Sequence, residues 1–275
     1  MSGALQLQFP APPRKVRMGG VALSVGRREE FLACYAGAVQ RGRGGMIFAP
    51  DVSLLRRAQG DPRLIAAFER ALFAVNDGAP VAAMAATLSG VRTPRYRGAD
   101  FMRDAFRTLP GTRHFLLGGV ESSLQALAAE AEKIPGFTLA DIYAPPFQPL
   151  EEMDFDGMAE RIRAAGAQMV WVFLGNPKQE LFCVEMSRRL PNVMFAAVGA
   201  ALNYLVQDGF EAPPLVRKAW LEWAWRLYRE PRRLWRRYAA TVPQGLWLLA
   251  GASLTACGRA MRGGRNRHLF DGATA

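Results

Sequence analysis

Short apolar runs rich in β-branched and aromatic residues alternate along this chain with amphipathic segments. The apolar runs predict strands over residues 16–23, 45–49, 71–76, 113–117, 138–143, 168–174 and 193–198. The amphipathic segments predict helices over residues 27–40, 61–70, 79–88, 122–133, 156–165 and 177–190. This alternation predicts an α/β fold, with a mostly parallel, Rossmann-like sheet and helices on both faces. Ligands of such sheets bind beyond the carboxyl ends of the strands, so those ends supply the first candidate residues.

The pattern changes at both ends of the chain and divides it into three parts. Residues 1–15 have prolines within their apolar run and charges after it, which is the wrong order for a signal peptide, so we expect a mobile leader. Residues 16–209 form the α/β core, and residues 210–275 form a helical appendage rich in arginine and tryptophan. The appendage's apolar stretch at 245–257 has thirteen residues, whereas crossing a bilayer takes roughly 20, so we expect it to reach only the membrane interface.

Net charge limits the partners of this chain. Its 275 residues carry a formal charge of +11, which indicates an anionic partner: nucleic acid, an acidic membrane surface or a diphosphate-bearing substrate. Half of the residues are hydrophobic, which excludes a largely disordered chain. Cys34, Cys183 and Cys257 are widely spaced, so we expect neither a disulfide framework nor a zinc site, and a reducing cytosol is the simplest setting.

A carboxylate stands at the end of the strand predicted over residues 71–76. Asp77 is followed by Gly78 and Pro80, which begin the next helix. A carboxylate in this position can act as a general base that takes the proton of an attacking hydroxyl. The alternative is that Asp77 only begins a turn or caps the helix.

Two further strand ends carry glycine or polar residues. Gly118 and Gly119 let backbone N–H groups approach a phosphate, although a structural turn explains them equally well. Lys178 and Gln179 follow Pro177, which suits the first turn of a helix, and they would face the same crevice. A Lys-Gln-Glu triplet is usually a solvated helix start, and its place at a third strand end is what makes it a candidate.

A basic and aromatic cluster dominates the appendage. Residues 217–237 include eight basic and two acidic residues, interleaved with tryptophan and tyrosine. Anionic lipid headgroups and diphosphate oxygens suit this composition, and nucleic acid would also accept it. The candidate arginines are Arg226, Arg232, Arg233, Arg236 and Arg237.

We expect no metal site. Asp154 and Asp156 have the DxD spacing that binds a divalent cation in many enzymes acting on sugar nucleotides, but they precede a predicted helix, and we interpret them as its cap. The two histidines, His114 and His268, are far apart in the chain, and His114 is predicted to be a core residue of a buried strand.

Seven short blocks occur in order along the chain. They lie at residues 77–78, 98–102, 115–119, 143–147, 175–180, 198–201 and 221–234. The most specific are Gly-x-Pro-Lys-Gln-Glu at 175–180 and Glu-Trp…Glu-Pro-x-Arg-Leu at 222–234. Together these blocks resemble the WecG/TagA/CpsF glycosyltransferase family, over about residues 16–238.

The resemblance implies an inverting, metal-independent transfer, without a cofactor, from a UDP-sugar to a sugar linked to undecaprenyl diphosphate. It further implies a peripheral protein at the cytoplasmic face of a bacterial inner membrane, whose basic appendage closes over the active site and holds the acceptor's diphosphate. Asp77, as base, and Gln179 are the candidate catalytic residues. The candidate donor-binding residues are Asp51, Asp100, Gly118, Gly119, Lys178 and Asn203.

Three departures from the family pattern bear on the donor. Residues 49–51 read Ala-Pro-Asp where members acting on N-acetylmannosamine carry Thr-Pro-Asn, Asn203 replaces an aspartate, and Glu211 replaces an arginine. Losing a hydroxyl and a carboxylate changes which donor hydroxyls can be hydrogen-bonded. The Pro-Pro-Phe at 145–147 and the strand of Trp171 are similar to the GumM-like exopolysaccharide branch, so we expect UDP-glucose first and UDP-N-acetylmannosamine second.

Two other functions stay open at this point. A nucleic-acid-binding protein would use the arginines and tryptophans, but it leaves the strand ends without a role. A family member without catalysis is suggested by Ala49 and Asn203, whereas Asp77 and Gln179 argue against it. The expected partners are therefore a UDP-sugar, a polyprenyl-diphosphate-linked acceptor and an anionic membrane surface, with no nucleic acid, and homo-oligomers could form away from the membrane.

Overall fold

The computed structural model describes residues 11–199, 201–206, 212–213, 215–216, 222–229, 231–232, 235, 239, 243, 245 and 247–254. Its strands are β1 (Arg14–Met18), β2 (Val21–Val25), β3 (Gly45–Phe48), β4 (Phe73–Ala74), β5 (Arg113–Gly118), β6 (Thr138–Tyr143), β7 (Met169–Phe173) and β8 (Met194–Ala197). Its helices are α1 (Arg28–Gln40), α2 (Val52–Gln59), α3 (Pro62–Arg70), α4 (Ala79–Ser89), α5 (Gly98–Thr108), α6 (Glu121–Glu132), α7 (Phe155–Ala164), α8 (Lys178–Arg189), α9 (Ala201–Val206) and α10 (Glu222–Arg229). A short 3₁₀ helix spans Leu150–Glu152.

Strands β3 to β8 form one sheet in the order β4-β3-β8-β7-β5-β6, and all five pairings are parallel. The predicted α/β class and parallel sheet are confirmed. The chain builds β3 and β4 at one edge and β5 and β6 at the other, and then returns through β7 to β8, which lies between β7 and β3. All six strands therefore end at the same edge of the sheet.

Both faces of the sheet are covered, because its central strands bury side chains on both sides. In β7, Trp171 packs with helices α1, α5, α6 and α9, whereas Val170 and Val172 face α2, α3, α4, α7 and α8. The Trp171 ring lies 5.8 Å from the ring of Phe101 and 5.5 Å from that of Phe106, both in edge-on or tilted geometry. Such continuous burial on two faces is the reason that these strands have nearly unbroken apolar sequences.

His114 is the core residue that the sequence predicted. Its Nδ1 accepts a hydrogen bond of 3.2 Å from Trp171 Nε1, and its ring stacks on Phe137 at 5.1 Å. Burial lowers its pKa to about 3, so the imidazole is neutral in the native state.

The prediction of a single strand over residues 16–23 is wrong, because this segment folds into a hairpin of two strands. β1 and β2 pair antiparallel around Gly19 and Gly20, whose φ angles of 53° and 86° are accessible to glycine at little cost. The Ser24 hydroxyl accepts a 2.9 Å hydrogen bond from the backbone N–H of Ala74. Lys15 donates to three carbonyls around the end of α3, including 2.6 Å to Ala71 O. The hairpin is thereby fixed against the β4 edge of the sheet.

Two helices beside the strand ends, α2 and α5, were not predicted, and the strand over 71–76 shortens to the two residues of β4. The cap of α2 is Asp51, whose carboxylate accepts a 2.8 Å hydrogen bond from the N–H of Leu54. α5 begins at Gly98, which lies so close to β3 and β8 that a Cβ there would stand 3.0 Å from the Cβ of Ala49. Both helices therefore begin directly over the ends of central strands.

Candidate active site

Three carboxyl groups come together where β3, β4 and β7 end. Asp51 follows β3, Asp77 follows β4 and Glu180 lies in the first turn of the helix after β7. The charge of Asp51 raises the pKa of both Asp77 and Glu180, which places it within electrostatic reach of each. The strand order β4-β3-β8-β7 explains this convergence of residues that are distant in sequence.

Asp77 has the properties of a general base. Burial, reinforced by the charge of Asp51, raises its pKa from 3.8 to about 7, and the nearby Arg97 and Arg95 partly oppose this shift. The N-cap residue of α4 is Gly78, which has a φ of 90° and supplies no side-chain cap. Asp77 therefore does not occupy the capping position that the alternative interpretation gave it. A carboxyl group with a pKa near 7 can both accept and release a proton at physiological pH.

Asp100 is held by a buried arginine. Arg97 is 5% exposed and donates to both Asp100 oxygens, from Nε at 2.6 Å and from Nη2 at 2.7 Å. Burial alone would raise the pKa of Asp100, but its ion pairs with Arg97 and with Arg103 outweigh that effect and lower it. Asp100 is thus an anion that fixes the Arg97 guanidinium beside Asp77.

Gln179 and Glu180 are buried, contrary to the solvated helix start that their triplet usually forms. Gln179 is 3% exposed and Glu180 is 0% exposed. Gln179 Nε2 donates a hydrogen bond of 2.9 Å to Glu180 Oε1. Burial raises the pKa of Glu180 to about 8, although the hydrogen bond from Gln179 works in the opposite direction. The carboxyl group is therefore mostly protonated at neutral pH.

Gly118 and Gly119 bring backbone segments together at the end of β5. Their φ angles are 102° and 70°, in the region that favours glycine. A Cβ on Gly118 would stand 2.8 Å from the carbonyl carbon of Phe173, and one on Gly119 would stand 2.8 Å from a methyl carbon of Leu202. These contacts account for the glycines as a tight structural turn, and their predicted contact with a donor phosphate stays a prediction.

A comparison with protein families decides the identity of the chain. A family model described as the glycosyl transferase WecG/TagA/CpsF family matches residues 16–257. The chain belongs to this family. It is therefore a glycosyltransferase, whose substrates are a sugar donor and an acceptor. The resemblance seen in the sequence blocks is confirmed, and the GumM-like branch stays a prediction.

In this glycosyltransferase, Lys178 contacts the loop that follows β6. Its Nζ donates a hydrogen bond to the carbonyl oxygen of Gln148 and lies 5.8 Å from the ring centre of Phe147. The loop after β6 is thereby joined to the first turn of α8. The predicted contact of Lys178 with the donor remains a prediction, and the ammonium group is already engaged by this loop.

The capping interpretation of the DxD pair is confirmed for Asp154. Asp154 is the N-cap of α7 and accepts a 2.9 Å hydrogen bond from the N–H of Gly157. Asp156 pairs with Arg189 on α8 at 2.8 Å. Each carboxylate thus has a structural partner.

Only part of the predicted acceptor site can be placed. Arg232 is an exposed residue of a helical segment. Arg226 lies in α10, and the donor-binding candidate Asn203 lies in α9, but the side chains of both lie outside the described residues. Arg233, Arg236 and Arg237 lie outside them as a whole. The boundary at residue 210 and the role of the appendage stay predictions. Within the residues that the structure describes, no helix has the length and hydrophobicity to cross a bilayer.

Sequence reasoning missed three residues at this edge: Asn76, Arg97 and Glu180. Asn76 is 0% exposed, and neither side-chain amide atom has a hydrogen-bond partner among the described residues. Glu180 stood inside a recognised block, yet nothing in its sequence neighbourhood distinguishes a buried glutamate from an exposed one. Arg97 could have been found from its sequence position, because it lies three residues before Asp100, at the spacing of an ion pair along a helix.

Proposed function

We propose that this enzyme is an inverting, metal-independent glycosyltransferase that moves a sugar from a UDP-sugar to a polyprenyl-diphosphate-linked sugar. UDP-glucose is the favoured donor and UDP-N-acetylmannosamine the next. The product belongs to bacterial exopolysaccharide or another cell-surface polysaccharide. Membership of a glycosyltransferase family supports this function over the nucleic-acid-binding alternative.

The observation that carries the proposal is the position and pKa of Asp77. The acceptor hydroxyl attacks the anomeric carbon while Asp77 takes its proton, and the bond from that carbon to the UDP oxygen breaks. A single displacement of this kind inverts the anomeric configuration. Because the Asp77 pKa is about 7, the group is substantially ionised before attack and still basic enough to receive the proton.

Arginine charge supports departure of UDP in this scheme. Arg95 and Arg97 act electrostatically on Asp77, so their positive potential reaches the place where the reaction occurs. Negative charge builds on the leaving diphosphate as the glycosidic bond breaks, and fixed cations in a buried site stabilise that charge without reorganisation. Asp100 holds the Arg97 guanidinium in place before substrate binds.

The donor preference is inferred from the strand end at Ala49. This residue is 9% exposed and packs against the start of α5 at Gly98, so the missing threonine hydroxyl leaves an apolar wall. A donor whose recognition depends on a hydrogen bond at that point would lose affinity here.

The appendage supplies the proposed attachment to the cytoplasmic face of the inner membrane. Each basic residue near an anionic surface contributes roughly 1 kcal/mol, and tryptophans favour the headgroup level. Arg232, Tyr228 and Trp235 are exposed.

The test is a transfer assay with full-length protein, a panel of radiolabelled UDP-sugars and a synthetic polyprenyl-diphosphate sugar. We expect label to enter the lipid fraction, most rapidly from UDP-glucose, and the new linkage to have the opposite anomeric configuration to the donor by NMR. Retained configuration would exclude the single displacement, and transfer from UDP-N-acetylmannosamine alone would reassign the donor. No transfer from any UDP-sugar, together with tight binding of single-stranded nucleic acid, would favour the alternative.

A further inference from the structure

The strongest unexplained feature near the candidate site is the contact between Gln179 and Glu180. A fully buried carboxyl group is costly unless it has a function or a complete set of partners. Glu180 Oε1 accepts from Gln179, whereas its Oε2 has no hydrogen-bond partner among the described residues. This carboxyl group lies in the first turn of α8, whose N-terminus follows β7 at the catalytic edge.

Gln179 is fixed on two sides. Its backbone N–H donates to Gly175 O at 2.9 Å, and one side-chain N–H is used by Glu180. A Cβ at Gly199 would stand 3.2 Å from both heteroatoms of the Gln179 amide, so the backbone at the end of β8 lies directly against that amide. The carbonyl oxygen, Gln179 Oε1, is buried and has no partner within the described residues. The arrangement leaves a hydrogen-bond acceptor for a ligand.

We propose that Glu180 is a positioning residue, which orients the Gln179 carboxamide so that its carbonyl oxygen accepts a hydrogen bond from a hydroxyl of the transferred sugar. This inference rests on the proposed function, since it assigns the sugar to that site. Glu180 itself does not touch the sugar and acts only through Gln179.

The protonation of Glu180 follows from its surroundings. The groups that act on it are Asp51 from the start of α2, Gln179 and, on its own helix, the buried Cys183. Ionisation would place a second negative charge beside Asp51 in a buried site, which burial and the Asp51 charge both oppose. Above about pH 8 the carboxylate forms, and its charge would compete for the N–H donors around Gln179.

The test uses three full-length variants, Glu180→Gln, Glu180→Leu and Gln179→Ala, and the double variant of the last two. Glu180→Gln is a near-isosteric copy of the protonated acid. We expect the parent to lose activity above about pH 8, where the Glu180 carboxylate forms. We expect Glu180→Gln to keep kcat/KM for the donor within about threefold at pH 7 and not to show that decline. Glu180→Leu should lower kcat/KM by roughly 10- to 100-fold, about as much as loss of one oriented hydrogen bond in a substrate complex.

The double variant separates positioning from a merely structural role. If Glu180 acts through Gln179, Glu180→Leu should have little further effect once Gln179 is alanine. The proposal would be overturned if Glu180→Leu lowered kcat/KM equally in the parent and in the Gln179→Ala background. It would also be overturned if Glu180→Gln were as impaired as Glu180→Leu while its circular dichroism and melting temperature matched the parent.

Thermal melts give a readout that does not depend on transfer. The native pKa of Glu180 lies above its unfolded value, so the parent loses stability as pH rises from about 4.5 to 8, and Glu180→Gln removes that loss. The melting temperature of Glu180→Gln relative to the parent should therefore rise across this window and stay level above it. A flat difference would refute a protonated Glu180. An inactive parent that still shows the expected melts would instead point to failure of the proposed function.

Discussion

Replacing Asp77 with asparagine should damage activity and improve stability at the same time. If Asp77 is the base, loss of its carboxylate lowers kcat by about 10²–10⁴, while UDP binding stays nearly intact because the base acts on the acceptor. The opposite effect on stability arises because the folded state holds this carboxyl group in surroundings that disfavour its ionised form.

The size of the stability effect follows from the pKa of Asp77. It rises from 3.8 to about 7, a shift of about 3 units, and each unit is worth about 1.4 kcal/mol, which sets an upper limit of about 4 kcal/mol. Because part of the Asp77 surface reaches solvent, we expect about half of that, roughly 2 kcal/mol, or about 4–8 °C in melting temperature.

The sign of the pH dependence is fixed by the same shift. A folded-state pKa above the unfolded value means that the native protein loses stability as pH rises from about 4 to 7. Asp77→Asn does not share that loss, so its advantage should be absent near pH 4, grow to pH 7 and remain constant above it. The assays are transfer kinetics, UDP titration by calorimetry, and melts from pH 4 to 9.

A matched control is Asp61→Asn, since Asp61 is the cap of α3 and its pKa is lowered by its hydrogen bond with Arg63. That variant should keep full activity and show no gain in stability between pH 4 and 7. Near-normal kcat for Asp77→Asn would remove Asp77 from the mechanism. A melting difference that does not change with pH would refute its raised pKa.

Three further predictions concern metal, the appendage and a glycine. EDTA should leave activity unchanged because Asp154 and Asp156 have structural partners, and loss of activity that Mg²⁺ or Mn²⁺ fully restores would contradict this. A chain that ends before Glu211 should bind UDP but should neither float with anionic liposomes nor glycosylate a lipid acceptor. High salt should release the full-length protein from the liposomes. If the shortened chain floats and transfers sugar as well as the full-length protein, the appendage has neither role. Gly118→Ala should destabilise the fold by about 2–3 kcal/mol, because its Cβ would meet the Phe173 backbone at a positive φ. Gly111→Ala also has a positive φ but has open space around it, so it should cost only about 1 kcal/mol. Equal costs in chemical denaturation would refute the steric argument.

The sequence was sufficient to predict the sheet because its strands are apolar on both faces. β6 and the central strands match their predicted positions within about one residue. The hairpin of β1 and β2 was missed because its apolar residues run on through the segment, although Gly19-Gly20 marked the turn. α2 and α5 were missed although their buried apolar residues recur at helical spacing and Asp51 before α2 is an ordinary N-cap residue.

The site was predicted unevenly for a related reason. Asp77 could be named as a candidate because a carboxylate directly after a buried strand lies where ligands bind in this fold class. The raised pKa of Glu180 depends on its burial and on the charge of Asp51, which is distant in sequence, so only the folded arrangement reveals it. The side chains of the candidate arginines other than Arg232 lie outside the described residues, and their roles stay predictions.

The position of β8 also has a consequence for biosynthesis. This strand joins β7 to β3, yet it is the last of the six to leave the ribosome. Until residues 194–197 emerge, β3 and β7 each present an unpaired edge, and such edges invite pairing with other chains. A nascent chain stalled near residue 190 should therefore be a target for chaperones or aggregation. One released beyond β8 already contains all six strands of the sheet, so the edge that carries the candidate site can assemble before the basic appendage is complete.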